Sequence, residues 1–158
     1  MSTLKESVLV VEDDAALREA LVDTLRAADL PALCASDAPA ALQLLQSEEI
    51  ALVISDVQMP GPNGYQLLSS IKRLRPDLPV VLMTAYGTVA QAVAAMREGA
   101  TDYIVKPFDA QALIDMARRK PKTAAEMGAV HGVGEAKLKQ YGEVFLEAIR
   151  QHAAANAA

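Results

Sequence analysis

Tryptophan is absent from the 158 residues, and the other aromatics amount to four tyrosines and two phenylalanines. A core built from this chain must be aliphatic, and the 52% of apolar residues supply enough Val, Leu, Ile, Met and Ala to fill one. A single cysteine, Cys34, excludes an intrachain disulfide framework and fits a reducing compartment; its expected place is that of a small buried hydrophobe. No apolar run approaches the ~20 residues that cross a bilayer. The opening Met-Ser-Thr-Leu-Lys-Glu-Ser lacks the apolar segment of a signal peptide, so a cytoplasmic protein without membrane contact is expected. Positive charge is scarce early in the chain. Residues 1–117 carry 8 Lys/Arg against 16 Asp/Glu, whereas residues 118–158 carry 7 against 4. An acidic unit is followed by a mildly basic tail, a contrast that can mark different partners.

Short apolar runs alternate with helical patterns. Val8-Leu9-Val10-Val11 shows no polar alternation, as expected of a strand buried on both faces. Leu17, Ala20, Leu21, Leu25 and Ala28 then recur at three- and four-residue steps, an amphipathic helix. Residues 31–35 read as a weak strand, 38–46 as a helix with Ala41, Leu42 and Leu45 inward, and 51–54 as a strong strand. A helix over 64–74 places Leu67, Leu68, Ile71 and Leu74 on one side. A strand at 79–83 precedes a helix over 88–98 through Val89, Val93 and Met96, with Gly99 as its C-terminal cap. The last strand covers 102–105, and Asp109 precedes a helix through Leu113, Ile114 and Ala117. Five strands alternating with five helices imply an α/β fold, a parallel sheet covered on both faces.

In such sheets function sits beyond the carboxyl ends of the strands. Glu12, Asp13, Asp14, Asp56, Thr84 and Lys106 all fall there. Acids from two strand ends repel unless a cation lies among them, and Mg²⁺ suits a site with few carboxylates and several waters. Asp56 can then attack phosphorus to form an acyl phosphate. Lys106 can pair with Asp56 or a phosphate oxygen, and Thr84 can donate a hydroxyl hydrogen bond to the same oxygens. Each residue also has a plainer reading. Asp14 suits a helix N-cap. Glu12 and Asp13 fit solvated loop charges, Asp56 a turn cap, Thr84 an ordinary strand end and Lys106 a surface lysine before a proline. The joint occurrence at four strand ends favours the chemical reading.

Val10-Val11-Glu12-Asp13-Asp14, Ser55-Asp56-Val57-Gln58-Met59-Pro60-Gly61, Met83-Thr84-Ala85 and Lys106-Pro107-Phe108 together resemble a response-regulator receiver domain, over residues 4–117. The resemblance implies a flavodoxin-like doubly wound sheet of order 2-1-3-4-5. It implies that Asp56 is the phosphoacceptor for a histidine kinase, with Thr84 and Lys106 on the phosphoryl group. It implies Mg²⁺ held by Asp13, Asp56 and the Gln58 backbone carbonyl, with Glu12 acting through water. Tyr103 would be the switch aromatic, changing rotamer as Thr84 moves; alone it reads equally as a half-buried strand tyrosine with its hydroxyl in water. A cis peptide is implied at Lys106–Pro107. Activation would be felt on the fourth helix, fifth strand and fifth helix, a face a homodimer could use. Met83-Thr84-Ala85-Tyr86-Gly87 with residues 90–99 resembles receivers of sigma-54 activators, including flagellar ones. No Gly-x-x-x-x-Gly-Lys ATPase motif occurs in the chain.

From Lys120 the pattern changes. Pro121-Lys122-Thr123 opens a short helix over 124–130, Gly132-Val133-Gly134 forms a hairpin, and a longer helix runs from Glu135 to about Ala153. A small helical pair packed on something apolar is the plain reading, with 154–158 disordered. Pro121-Lys122-Thr123-Ala124-Ala125-Glu126-Met127 and His131-Gly132-Val133-Gly134-Glu135-Ala136-Lys137-Leu138-Lys139-Gln140-Tyr141-Gly142 resemble the C-terminal half of an HRDC domain, the nucleic-acid-binding module of helicases and RNase D. This small helical appendage, 118–153, would share or continue the fifth receiver helix. Lys137 and Lys139 would be its phosphate contacts, although half a module makes nucleic acid the weaker partner. Two such patterns joined through one helix point to an engineered chimera, with natural recombination second.

The leading expectation is a phosphorylatable switch regulating transcription, not an enzyme beyond self-phosphorylation and slow self-dephosphorylation. A chimera serving as a folding scaffold and a nucleic-acid-binding module are the alternatives. An aspartyl-phosphate hydrolase ranks last, because Gln58 stands where that class places a second aspartate.

Overall fold

The computed structural model of the chain describes residues 6–84, 89–105 and 110–119. Lys106, the Lys106–Pro107 peptide and the whole stretch from 120 onward, including Lys137 and Lys139, lie outside the described residues. The elements are β1 (Ser7–Val11), α1 (Ala15–Ala27), β2 (Ala32–Ala35), α2 (Ala38–Ser47), β3 (Ile50–Asp56), α3 (Gly64–Leu74), β4 (Val80–Thr84), α4 (Val89–Arg97), β5 (Asp102–Val105) and α5 (Ala110–Arg119). All strand pairs are parallel, in the order β2-β1-β3-β4-β5. This is the doubly wound flavodoxin-like arrangement, whose strand order reverses between β1 and β3.

The two-residue period of the strands sorts side chains between two aliphatic layers. Val8, Val10, Leu52, Ile54, Val81, Met83 and Ile104 pack with Leu21, Val22 and Leu25 of α1 and Leu113 and Ala117 of α5. Leu9, Val11, Val53, Val80, Leu82 and Tyr103 pack with residues of α2, α3 and α4, among them Ala41, Leu67, Ile71, Ala95 and Met96. Both faces of β1, β3 and β4 are therefore buried, which is why their sequences show no polar alternation.

Local signals agree with this layering. Asp14 and Asp37 cap α1 and α2 by accepting from Leu17 N and Ala40 N, at 3.1 and 2.9 Å. Asn63 and Gln66 form a reciprocal capping box at α3. Gly99, with φ of +103°, ends α4 as expected, while the Met96 carbonyl accepts from its N–H at 3.2 Å.

Three expected placements are corrected. Cys34 is exposed, because β2 is an outer strand with one neighbour and its side chains are only partly covered. Leu74 is 58% exposed, since it is the last residue of α3 and falls beside an open groove at the amino ends of the strands. Ala20 is exposed and Val22 takes its place in the core facing α5. The third and fourth strands also run further than their apolar cores. Asp56 is still in register with Met83, and Thr84 with Val105, so both polar residues belong to the sheet.

Candidate functional site

β1 ends at Val11, and Glu12, Asp13 and Asp14 turn out of the sheet before α1 begins. The Glu12 N–H donates to the Ala35 carbonyl at 3.0 Å, which ties the turn to β2. Across the neighbouring strand end stands Asp56. Glu12, Asp13 and Asp56 each offer a carboxylate oxygen, and these oxygens all lie within 4.8 Å of one another. Glu12 is 1% exposed and Asp56 5%, whereas Asp13 is exposed. Two acids of the cluster are therefore buried and the third lies at the surface. Like charges this close repel one another, and a hard divalent cation with oxygen ligands is the chemical complement of such a set.

Backbone and side-chain bonds fix the cluster. Asp14 caps α1, as its plainer reading held, and its own N–H donates to Glu12 Oε2 at 3.2 Å. Arg18, one turn into α1, donates to the Glu12 carbonyl at 2.8 Å and the Asp13 carbonyl at 3.4 Å. Its guanidinium thus holds the acidic turn by the backbone and leaves the carboxylates for other partners. The sequence reading missed this residue; its signal was a basic side chain four positions after the cap. Just past β3, the Gln58 N–H donates to Asp56 Oδ1 at 3.2 Å, so Asp56 makes a turn bond and still faces the other acids. Ser55 Oγ donates to the Asp56 carbonyl at 3.0 Å. Gly64 presses on the same strand end: a Cβ there would meet the Asp56 carbonyl oxygen and lie 2.8 Å from Val57 Cα.

Thr84 ends β4 one residue beyond Met83, the register partner of Asp56, and is 2% exposed. Tyr103 lies two residues before the end of β5. Its plainer reading is overturned: the ring is 1% exposed and the hydroxyl is bonded within the protein. Tyr65 of α3 donates to the Tyr103 hydroxyl at 3.2 Å, and that hydroxyl donates to Gln91 Oε1 of α4 at 3.4 Å. The two rings stack with centroids 6.4 Å apart and planes 15° from parallel. Neither Tyr65 nor Gln91 was singled out from the sequence, because nothing local marks a contact between residues 38 positions apart. The structure thus brings Glu12, Asp13 and Asp56 together and seats Thr84 at the adjoining strand end, while Lys106 falls outside the described residues.

The family described as response regulator receiver domain matches residues 8–118. A second match, to the HRDC domain family, covers residues 91–149 and overlaps the first. The chain is 57% identical over 112 residues to the response regulator protein FleR of Pseudomonas aeruginosa, covering 71% of this chain and 24% of that one. It is 38% identical over 112 residues to the DNA-binding transcriptional regulator NtrC of Escherichia coli, again covering 71% of this chain and 24% of the relative. The chain thus spans about a quarter of the length of these relatives. Among solved structures, the receiver domain of NtrX from Brucella abortus superposes with a TM-score of 0.67 at 36% identity, covering 72% of this chain and 97% of that domain. The matched span, the parallel sheet and the acidic cluster agree, and the chain belongs to the response regulator receiver domain family.

Proposed function

We propose that the chain is a phosphorylation-dependent switch in which Asp56 takes a phosphoryl group from a histidine kinase, to regulate transcription. The observation that carries this reading is the convergence of the Glu12, Asp13 and Asp56 carboxylate oxygens within 4.8 Å at the carboxyl ends of two adjacent strands. Asp13, Asp56 and the Gln58 carbonyl would hold Mg²⁺, with Glu12 acting through water. When bound, the ion offsets the negative charge of the incoming phosphoryl oxygens. A carboxylate oxygen of Asp56 attacks phosphorus, and the P–N bond to the kinase imidazole breaks as the acyl-phosphate P–O bond forms. The Thr84 hydroxyl and the Lys106 ammonium take the phosphoryl oxygens as partners, and this stronger pairing favours one of two packings. Tyr103 follows Thr84, and the change is read on the α4–β5–α5 face, which a second copy could occupy. Turnover is limited to self-phosphorylation and slow self-dephosphorylation.

The NtrC relative is named a DNA-binding transcriptional regulator, which supports a transcriptional role; the sigma-54-activator kind and the cytoplasm are part of the same proposal and rest on the sequence resemblance. In this reading residues 4–117 are the receiver, 118–153 the helical appendage and 154–158 a tail. The test is incubation with acetyl phosphate and Mg²⁺, followed by intact-mass measurement. One added phosphoryl mass in the wild type, lost in Asp56→Asn, is the expected result. No adduct, or an adduct that survives Asp56→Asn, overturns the reading.

The HRDC match over 91–149 favours a second reading, in which the appendage binds nucleic acid through Lys137 and Lys139. The overlap of the two family matches also supports a chimera joined through the fifth receiver helix, with the receiver as scaffold. A salt-dependent gel shift with single-stranded DNA, lost in Lys137→Ala/Lys139→Ala, is expected if the appendage binds; no shift at low salt ends that reading.

A further inference from the structure

The apolar stripe of α3 runs past the sheet that covers it. Leu67 and Ile71 are 1% and 0% exposed, whereas Leu74, next on the same side of the helix, is 58% exposed. Among the described residues it is the large apolar side chain left open to solvent. It borders the groove at the amino ends of the strands, a space of about 560 Å³ lined also by Ile50 and Leu78. Two carboxylates, Glu6 and Asp77, line the groove against one guanidinium, Arg75, which donates to the Ile50 carbonyl. The fifth helix brings the chain to the same end. It starts beyond the carboxyl end of β5, packs on the α1 face through Leu113 and Ala117, and runs back against the strands, so Arg119 lies toward their amino ends.

Past Arg119 the sequence carries an apolar stripe that needs a cover. Leu138, Tyr141, Phe145, Ala148 and Ile149 fall on one helical face, and the companion pattern at 124–130 is too short to bury it. We propose that the groove is the docking site of this segment, in the same molecule, with Leu138, Tyr141, Phe145 and Ile149 seated on Leu74 and the apolar floor beside it. Reach, charge and tethering favour this occupant. Even with 124–130 helical, residues 120–134 span up to about 35 Å, against about 20 Å across five strands. Residues 118–158 carry 7 Lys/Arg against 4 Asp/Glu, the complement of a groove with two acids and one base. A tethered segment acts at an effective concentration on the order of millimolar, far above that of a second copy in dilute solution. The groove lies at the opposite end of the sheet from Glu12, Asp13 and Asp56, so the inference stands apart from the phosphorylation reading.

The experiment uses the full chain in two forms. In the first, p-benzoylphenylalanine replaces Leu74, and the dilute protein is irradiated with dithiothreitol present. The expected product is a cross-link within one molecule, from position 74 to a peptide inside residues 135–153, identified by mass spectrometry of the monomer band. No link to that peptide, or a link found only in a dimer band, overturns the inference; the second result would give the groove to another copy. In the second form, Leu74→Asp is compared with the wild type in limited trypsin digestion, with cleavage after Lys137 and Lys139 as the readout. Both sites are expected to be cut about ten-fold faster in the variant, the factor set by losing the burial of one leucine side chain. Leu74 is the last residue of α3 and mostly exposed, so the variant is expected to keep the wild-type urea midpoint for the sheet. Equal cleavage rates in a folded Leu74→Asp overturn the inference, and where that variant does not fold the cross-link decides.

Discussion

The two ends of the sheet treat charge in opposite ways. At the carboxyl ends, Glu12, Asp13 and Asp56 converge, and Arg18 grips the turn through the Glu12 and Asp13 carbonyls. At the amino ends three long basic side chains donate to the protein's own backbone. Arg26 donates to the Ala32 carbonyl at 2.8 Å, Arg75 to the Ile50 carbonyl at 3.3 Å, and Lys72 to the Leu78 and Pro76 carbonyls at 2.7 and 3.3 Å. Charge directed at backbone carbonyls fixes loops in one arrangement. Charge gathered with its own kind favours an external counter-ion and responds when that balance changes. One end is built as an anchor and the other as a site.

The contrast breaks most visibly at the acids. Asp13→Asn should slow Mg²⁺-dependent adduct formation by about a hundredfold, the scale of removing one positioned electrostatic group. The urea midpoint without metal should hold or rise, because a like charge has been removed. An unchanged rate would mean the cluster is not where the cation acts. Next comes Gly64→Ala, whose Cβ has only backbone to displace at the Asp56 strand end. It should destabilise by about 1–3 kcal/mol and slow adduct formation as well. Gly61→Ala makes the control: φ is +74° with open space around the site, so backbone strain of about 1 kcal/mol is expected with the rate unchanged.

At the anchoring end the effects are smaller and confined to stability. Arg26→Ala and Arg75→Ala should each lower stability by about 1 kcal/mol in urea melts, with adduct formation per folded molecule unchanged. A fall in that rate would erase the distinction between the two ends. The smallest effect is a slope. Burial lowers the Lys72 pKa below its ordinary 10.5, with Asp77 acting in the opposite direction. The folded protein therefore releases this proton more readily than the unfolded chain does. Between the lowered value and 10.5 the unfolded state binds more protons, so stability rises with pH across that window. Lys72→Met should flatten the rise, as measured by urea midpoints at intervals through the alkaline range.

Most of the site was legible because its chemistry follows directly on apolar runs. Glu12 follows, and Asp56 and Thr84 end, strands whose burial is evident from their Val, Leu and Ile. The Asp14 cap and the turn at Gly99 were legible for a similar reason, since each depends on neighbours within a few residues. Cys34 and Leu74 were misplaced for the opposite reason. Burial of Cys34 depends on β2 being an outer strand, and burial of Leu74 on where the sheet stops beneath α3; neither is a local property. Tyr65, Gln91 and Arg18 carry no motif, and their roles appear only when α3, α4 and β5 are assembled or when α1 is set against the acidic turn.

The exposure of Cys34 has a practical consequence for any study of self-association. As the only thiol in the chain, it can oxidise into a bridge only by joining two molecules, and each bridged species is then a closed pair. A dimer that vanishes on adding dithiothreitol, or after alkylation with iodoacetamide, reports air oxidation at the rim of the sheet and carries no information about pairing through helices.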